Sequence, residues 1–112
     1  MNYKRRDIVL LPFPFVTTMK IKQKARPALV IWDHSISRRF EDLILAGITS
    51  QRIKGVIETE FLIDRKSSKF LQTGLIKTSV VRCAYLMTVP EQTIVRRLGY
   101  ISVEPTHKLI RE

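Results

Sequence analysis

Cysteine is almost missing from this chain: Cys83 stands alone, which excludes both an internal disulfide framework and a cysteine pair for a metal. Its neighbours Val80 to Leu86 read as a strand, so the thiol is expected to be a small buried residue. No apolar run approaches the length of a membrane span. Residues Ile8 to Val16, after a basic start, imitate the core of a signal peptide. Asp7 at the junction, Pro12, Pro14 and the lack of a small-residue cleavage site argue against one. A cytoplasmic protein is expected. Acidic residues are scarce too, 10 against 20 Lys and Arg. Glu58, Glu60 and Asp64 are spread along a strand and loop, and no carboxylate pair has the look of a metal or glycosidase site. No metal and no cofactor are expected. The two histidines, His34 in a loop and His107 near the end, give no convincing general base.

What is present is charge. The net charge of +10 and pI near 10.3 imply a polyanionic partner, most plausibly nucleic acid, because self-repulsion of this size is tolerated where a partner offsets it. An acidic membrane fits less well, since the cations do not lie on one amphipathic helix. A length of 112 residues with 45% hydrophobic content fits one domain over 1–112.

The densest basic stretch, Lys20-Ile21-Lys22-Gln23-Lys24-Ala25-Arg26-Pro27, runs straight into the apolar Ala28 to Trp32. Pro27 fixes φ where the chain turns extended. An arginine at the mouth of a buried strand suits a phosphate, because its planar fork offers several donors and stays charged. The plainer reading of Lys20, Lys22 and Lys24 is a solvated basic loop, and the functional one is a mobile loop that guides a nucleic-acid strand. Phe13 and Phe15, flanked by prolines before that loop, are candidates to border an RNA groove, since aromatic faces between cations suit stacked bases.

Strand signals dominate. Expected strands are Ile8 to Leu11, ended or pushed to a sheet edge by Pro12 and Pro14; a central strand Ala28 to Trp32; Leu43 to Thr49, with Gly47 marking a bulge or close approach; Val56 to Ile63; Leu75-Ile76; and Val80 to Leu86. Thr88-Val89-Pro90-Glu91 then reads as a helix start, with Ile94, Val95 and Leu98 as an apolar face and Gly99 as its stop. A last short helix is expected from about Pro105 to Ile110.

Five blocks, in order, carry a resemblance. They are Arg6-Asp7-Ile8-Val9, Arg26-Pro27-Ala28-Leu29-Val30, Ile48-Thr49-Ser50, Gly74 to Arg82, and Ile94 to Ser102 with its Arg97-Leu98-Gly99. Together they resemble the MazF/PemK family of toxin endoribonucleases. The resemblance implies a mainly β fold with short helices, a small SH3-like β-barrel of the MazF/Kid/CcdB toxin type. It also implies a homodimer, metal-independent cleavage of single-stranded RNA, and a cognate antitoxin protein whose disordered, often acidic tail would suit a surface of +10.

By the same resemblance, Arg26 corresponds to the arginine at the scissile phosphate, and Thr49 with Ser50 to the hydroxyl residues that complete the site. Arg82 matches an arginine used in catalysis by the Kid/PemK branch. Two positions depart. The aspartate that the Kid branch places two residues after that arginine is Ala84 here, and the glycine before the first-strand aspartate is Arg6. The general base is thus unassigned. A non-catalytic RNA- or protein-binding barrel and a gyrase-directed toxin of related fold are the alternatives.

Overall fold

The computed structural model describes residues 3–16, 21–32, 42–51 and 53–102; over 13–16 and 21–23 it describes the backbone alone. Six strands, β1 (Asp7–Val16), β2 (Ile21–Trp32), β3 (Asp42–Thr49), β4 (Glu60–Ile63), β5 (Ser79–Pro90) and β6 (Arg96–Tyr100), form one sheet in the order β4-β5-β3-β2-β1-β6. Every pairing is antiparallel. Single 3₁₀ turns at Leu71–Thr73 and Glu91–Thr93 are the helical elements among the described residues.

Neighbouring residues of a strand point to opposite faces, and here both faces are buried. Ile8, Leu29, Ala46, Ile48 and Val81 pack into one core, closed by Ile63, Phe70, Ile101 and the half-buried Phe61, Leu75 and Leu98. Their strand neighbours Val9, Leu11, Ala28, Val30, Leu43 and Leu45 form a second core with Ile94, Tyr3, Met87 and Val89. The sheet is therefore curled, and the strands shared by the two cores have no polar face. That explains why Ala28 to Val30 is a continuous apolar run rather than an alternating one. Cys83 is buried in the first core, as its neighbours suggested.

Curling requires breaks in the ladder. Ala46 pairs with Leu86 but the next residue, Gly47, pairs with Arg82, so Cys83, Ala84 and Tyr85 bulge out of β5. The Cys83 N–H bonds instead to the Thr59 carbonyl, at 2.9 Å. The Tyr85 ring lies so close over Gly47 that a Cβ there would sit 3.2 Å from it. Of the bulge or close backbone approach expected at Gly47, the bulge is found, on the strand facing it, and the close neighbour is a ring rather than backbone.

Several expected elements differ. β1 continues past Pro12 and Pro14 to Val16, paired with β2 throughout. Beyond Leu10, β1 pairs among the described residues with β2 alone, so the prolines meet the sheet where β1 has that one described neighbour. Ile21 to Lys24 are likewise strand rather than basic loop. The fourth strand is only Glu60–Ile63, because a turn closed by Glu60 N–H on the Ile57 carbonyl precedes it. Leu75-Ile76 is not a strand but follows the 3₁₀ turn that ends on Gly74, φ 76°.

The largest correction concerns 88–99, expected as a helix. β5 runs on to Pro90, and Ile94 closes a 3₁₀ turn. β6 then pairs with β1, and the Val95 N–H reaches the Leu10 carbonyl at 2.7 Å. The open edge of β1 supplies partners that a helix would have had to find within itself, and β-branched Thr93, Ile94 and Val95 just before β6 are poor helix formers. Gly99 does not stop a helix; it lies in β6 beneath the 3₁₀ turn, where a Cβ would come 2.2 Å from the Gln72 carbonyl oxygen. The helix expected from Pro105 to Ile110 lies outside the described residues.

Candidate functional site

β2 leads Lys24, Ala25, Arg26 and Pro27 toward the end of β3, where the chain leaves the sheet at Thr49 and Ser50. β3 begins to pair with β2 only at Ala28, so the segment before it is free of that neighbour and forms one wall of an open groove. The other wall is the stretch from Gly74 to Lys77, with Ser79, and the outer end is bounded by Arg96 and Leu98 of β6. The groove holds about 430 Å³.

Close backbone approach sets this wall. Gly74 is left-handed, and a Cβ on it would lie 2.2 Å from the Leu98 carbonyl oxygen, while Gly99 meets Gln72 and Thr73. The 3₁₀ turn is thereby pressed flat on β6, and the residues after it are carried to the groove.

Arg26, Thr49 and Ser50 are brought together here. Lys24 joins them, on β2 and exposed. Lys77 and Arg96, which sequence reasoning missed, add two more cations, and none of the described residues lining the groove is acidic. Lys77 lies within the Gly74 to Arg82 block, but nothing in its spacing distinguishes it from a solvated lysine, and Arg96 falls in the segment whose apolar spacing predicts a helix over 88–99.

Arg82 stands apart from these three. It lies on β5 in a neighbouring recess of about 330 Å³, with Gln51, Glu60 and Val80; Thr49 lines both cavities. The Arg82 guanidinium is half-exposed, 5.3 Å from the centre of the Tyr85 ring and with its Nε 3.9 Å from Glu60 Oε2. Thr49 Oγ1 accepts the Gln51 N–H at 3.1 Å, which leaves the hydroxyl hydrogen to be donated outward.

Phe15 and Lys22 are register partners across β1 and β2, so the two share one position along the hairpin. Lys20, His34 and His107 lie outside the described residues. Ala84, where an aspartate was missing, is exposed in the β5 bulge. Asp7 is a buried acceptor, with Oδ2 taking the Lys4 N–H at 2.9 Å and Oδ1 taking Arg97 Nε at 3.0 Å. Among the described residues no three His, Cys, Asp or Glu side chains are grouped to hold a metal, and no helix is long and apolar enough to cross a membrane.

The family model described as "PemK-like, MazF-like toxin of type II toxin-antitoxin system" matches residues 4–111. The chain belongs to that family. No curated protein matches it in sequence. Among solved structures, the PemK-like fold is shared with the Mycobacterium tuberculosis toxin MazF-mt6, at 24% identity and TM-score 0.65 over 95% of this chain and 90% of that one. An endoribonuclease in complex with its cognate antitoxin from Mycobacterial species is similar at 16% identity and TM-score 0.65, covering 96% and 87%. A further Mtb toxin is similar at 24% identity and TM-score 0.58, covering 88% and 93%. The mostly β, six-stranded curled sheet is thus the fold of MazF toxins.

Proposed function

We propose that this MazF-like toxin is an endoribonuclease that cuts single-stranded RNA without a metal, in the cytoplasm, as a homodimer restrained by a cognate antitoxin. The observation that carries the reading is the groove itself: Arg26, Thr49 and Ser50 share it with Lys24, Lys77 and Arg96, and among the described residues no carboxylate lines it. Such a groove attracts a polyanion, and its charge is matched to the phosphodiester rather than to a base. The antitoxin is inferred from the family, and one similar structure is described as bound to its own.

Cleavage without a metal has the ribose 2′-OH attack its own phosphate, leaving a cyclic phosphate and a 5′-OH end. Arg26 stabilises the charge that builds on the non-bridging oxygens; a guanidinium holds its proton and is a donor, not a base. Thr49 and Ser50 donate to the phosphate or orient the 2′-OH, and Arg82 is a second donor from the adjoining recess. Lys20, Lys22, Lys24 and Phe15 guide the flanking strand.

The test is incubation of the protein with a long single-stranded RNA of mixed sequence in EDTA. Discrete cuts with 5′-OH ends, absent on an all-DNA strand and lost in Arg26→Ala, support the reading. Intact RNA held in a tight, salt-sensitive complex would replace it with a non-catalytic binding module.

A further inference from the structure

Among its described residues the groove offers cations and hydroxyls but no group able to take a proton from a 2′-OH at neutral pH. The adjoining recess offers one. Among the described residues that line either cavity Glu60 is the single carboxylate, and none of them is a histidine or cysteine. We infer that Glu60 is the general base of the cleavage reaction, occupying functionally the place left open by Ala84; the inference rests on the ribonuclease reading above.

The geometry has three parts. In register, Glu60 of β4 stands opposite Arg82 of β5, which itself stands opposite Gly47 of β3, so the acid and the arginine share one row across the sheet. The carboxylate is held at one end. Glu60 N–H bonds the Ile57 carbonyl at 2.9 Å, and the Ile57 N–H donates to Oε1 at 3.3 Å. Oε2 is the oxygen turned toward Arg82, 3.9 Å from its Nε. Finally, the Glu60 side chain is 20% exposed against 53% for Arg82, so the base is recessed while the arginine reaches outward. The Ile57–Glu60 turn that ended the expected strand early is what fixes the carboxylate in place.

An ion pair this long and this exposed adds little stability, about 0–1 kcal/mol for a surface pair. Its arrangement suits an exchange of partners, in which phosphate takes the guanidinium and frees Oε2. Glu60 then accepts the 2′-hydroxyl proton as the 2′-oxygen bonds to phosphorus; the bond from phosphorus to the 5′-oxygen breaks, and that oxygen takes a proton from solvent. Glu60 returns its proton to solvent, so nothing is gained or lost overall. Among the described residues, Arg82, Thr49 and Gln51 are the charged and polar groups facing the carboxylate across the recess.

The experiment measures cleavage by the full chain of a single-stranded RNA in EDTA across a pH series, for the wild type, Glu60→Gln and Glu60→Asp. Binding is measured separately on the same RNA with 2′-deoxy residues at the cut positions. Glutamine keeps an oxygen for the Ile57 N–H but has no basicity. It is expected to lower kcat by about 10²–10⁴ and to abolish the fall in rate at acid pH, with binding unchanged or tighter. Glu60→Asp is expected to retain that acid limb at a reduced rate. An acid limb that persists in a slowed Glu60→Gln would overturn the base and leave only a role in positioning Arg82. Cleavage undiminished in Glu60→Gln overturns Glu60 alone, whereas a wild type that binds but never cuts overturns the ribonuclease reading and the base with it.

Discussion

Asp7 Oδ1 accepts a 3.0 Å hydrogen bond from Arg97 Nε, tying the first residue of β1 to β6. Its other oxygen accepts the Lys4 N–H, so one buried carboxylate serves two donors. Asp7→Ala leaves both without their acceptor and is expected to cost about 2 kcal/mol. Arg97→Ala is expected to cost less, about 1 kcal/mol, because the guanidinium is half-exposed and screened by solvent. Urea unfolding of the two variants against wild type checks the order.

Arg6 has φ 77°, the one positive value on a non-glycine residue among those described. The position is fixed from both sides, since the Arg6 N–H bonds the Val30 carbonyl and the Arg6 carbonyl accepts the Ile101 N–H, each at 2.9 Å. A side chain in this region costs roughly 1–2 kcal/mol. Arg6→Gly removes that strain, gives up an exposed bond from Nη1 to the Ser102 carbonyl, and gains freedom in the unfolded chain. A net stabilisation of about 0.5–1 kcal/mol is expected, read as a rise in the urea midpoint at unchanged slope.

These two residues also show what was legible in the sequence. Asp7 is readable as part of the first block of the resemblance; its two donors, the Lys4 N–H and Arg97 Nε, come together through the pairing of β1 with β6 and the turn before β1. Arg6 was marked because a glycine was expected there. Strands carried by runs of buried β-branched and aliphatic residues were equally readable, as at Ala28 to Trp32 and Leu43 to Thr49. The meeting of Arg26, Thr49 and Ser50 followed from the family resemblance and not from spacing. What stayed hidden depends on long-range pairing. The segment 94–100 has helical spacing, yet β1 offers it an edge, and the choice between them is tertiary. Lys77 reaches the groove only because Gly74 and Gly99 let two backbones touch.

That contact predicts a variant. In Gly99→Ala the new methyl meets Gln72 and Thr73 backbone atoms at 2.2–2.6 Å, which no flexible side chain can relieve. The expected loss is about 1–3 kcal/mol, as for an overpacked core. Since the 3₁₀ turn carries the groove wall, RNA affinity is expected to fall as well, even at temperatures where the variant is folded. A melting curve together with a binding isotherm well below the transition separates the two effects.

Arg26 and Thr49 line one groove, and their proposed roles differ. Loss of a donor to the developing charge typically costs about 10²–10³ in rate, so Arg26→Ala is expected to cut that much more slowly at temperatures where it is folded. Arg26→Lys keeps the charge but not the fork and is expected to recover only part of it. Thr49→Val removes the hydroxyl at nearly constant shape. It also leaves the Gln51 N–H without its acceptor, at an exposed position where water replaces it. Its effect is expected in kcat more than in KM, measured in single-turnover cleavage of one defined RNA.

Lys77 and Arg96 give the sharpest test of where the RNA lies. Binding to a single strand weakens with salt by about 0.7 in log K per log[salt] for each phosphate neutralised. If both side chains meet phosphates, Lys77→Ala and Arg96→Ala each flatten that slope by about 0.7, and the double variant by about 1.4. Lys66 is also exposed, but it sits on the turn after Asp64 and does not line the groove. Lys66→Ala is therefore expected to leave the slope unchanged. Titrating a non-cleavable RNA across a salt series with these four proteins reads the outcome directly, and equal slopes for Lys77→Ala and Lys66→Ala would move the RNA off this wall.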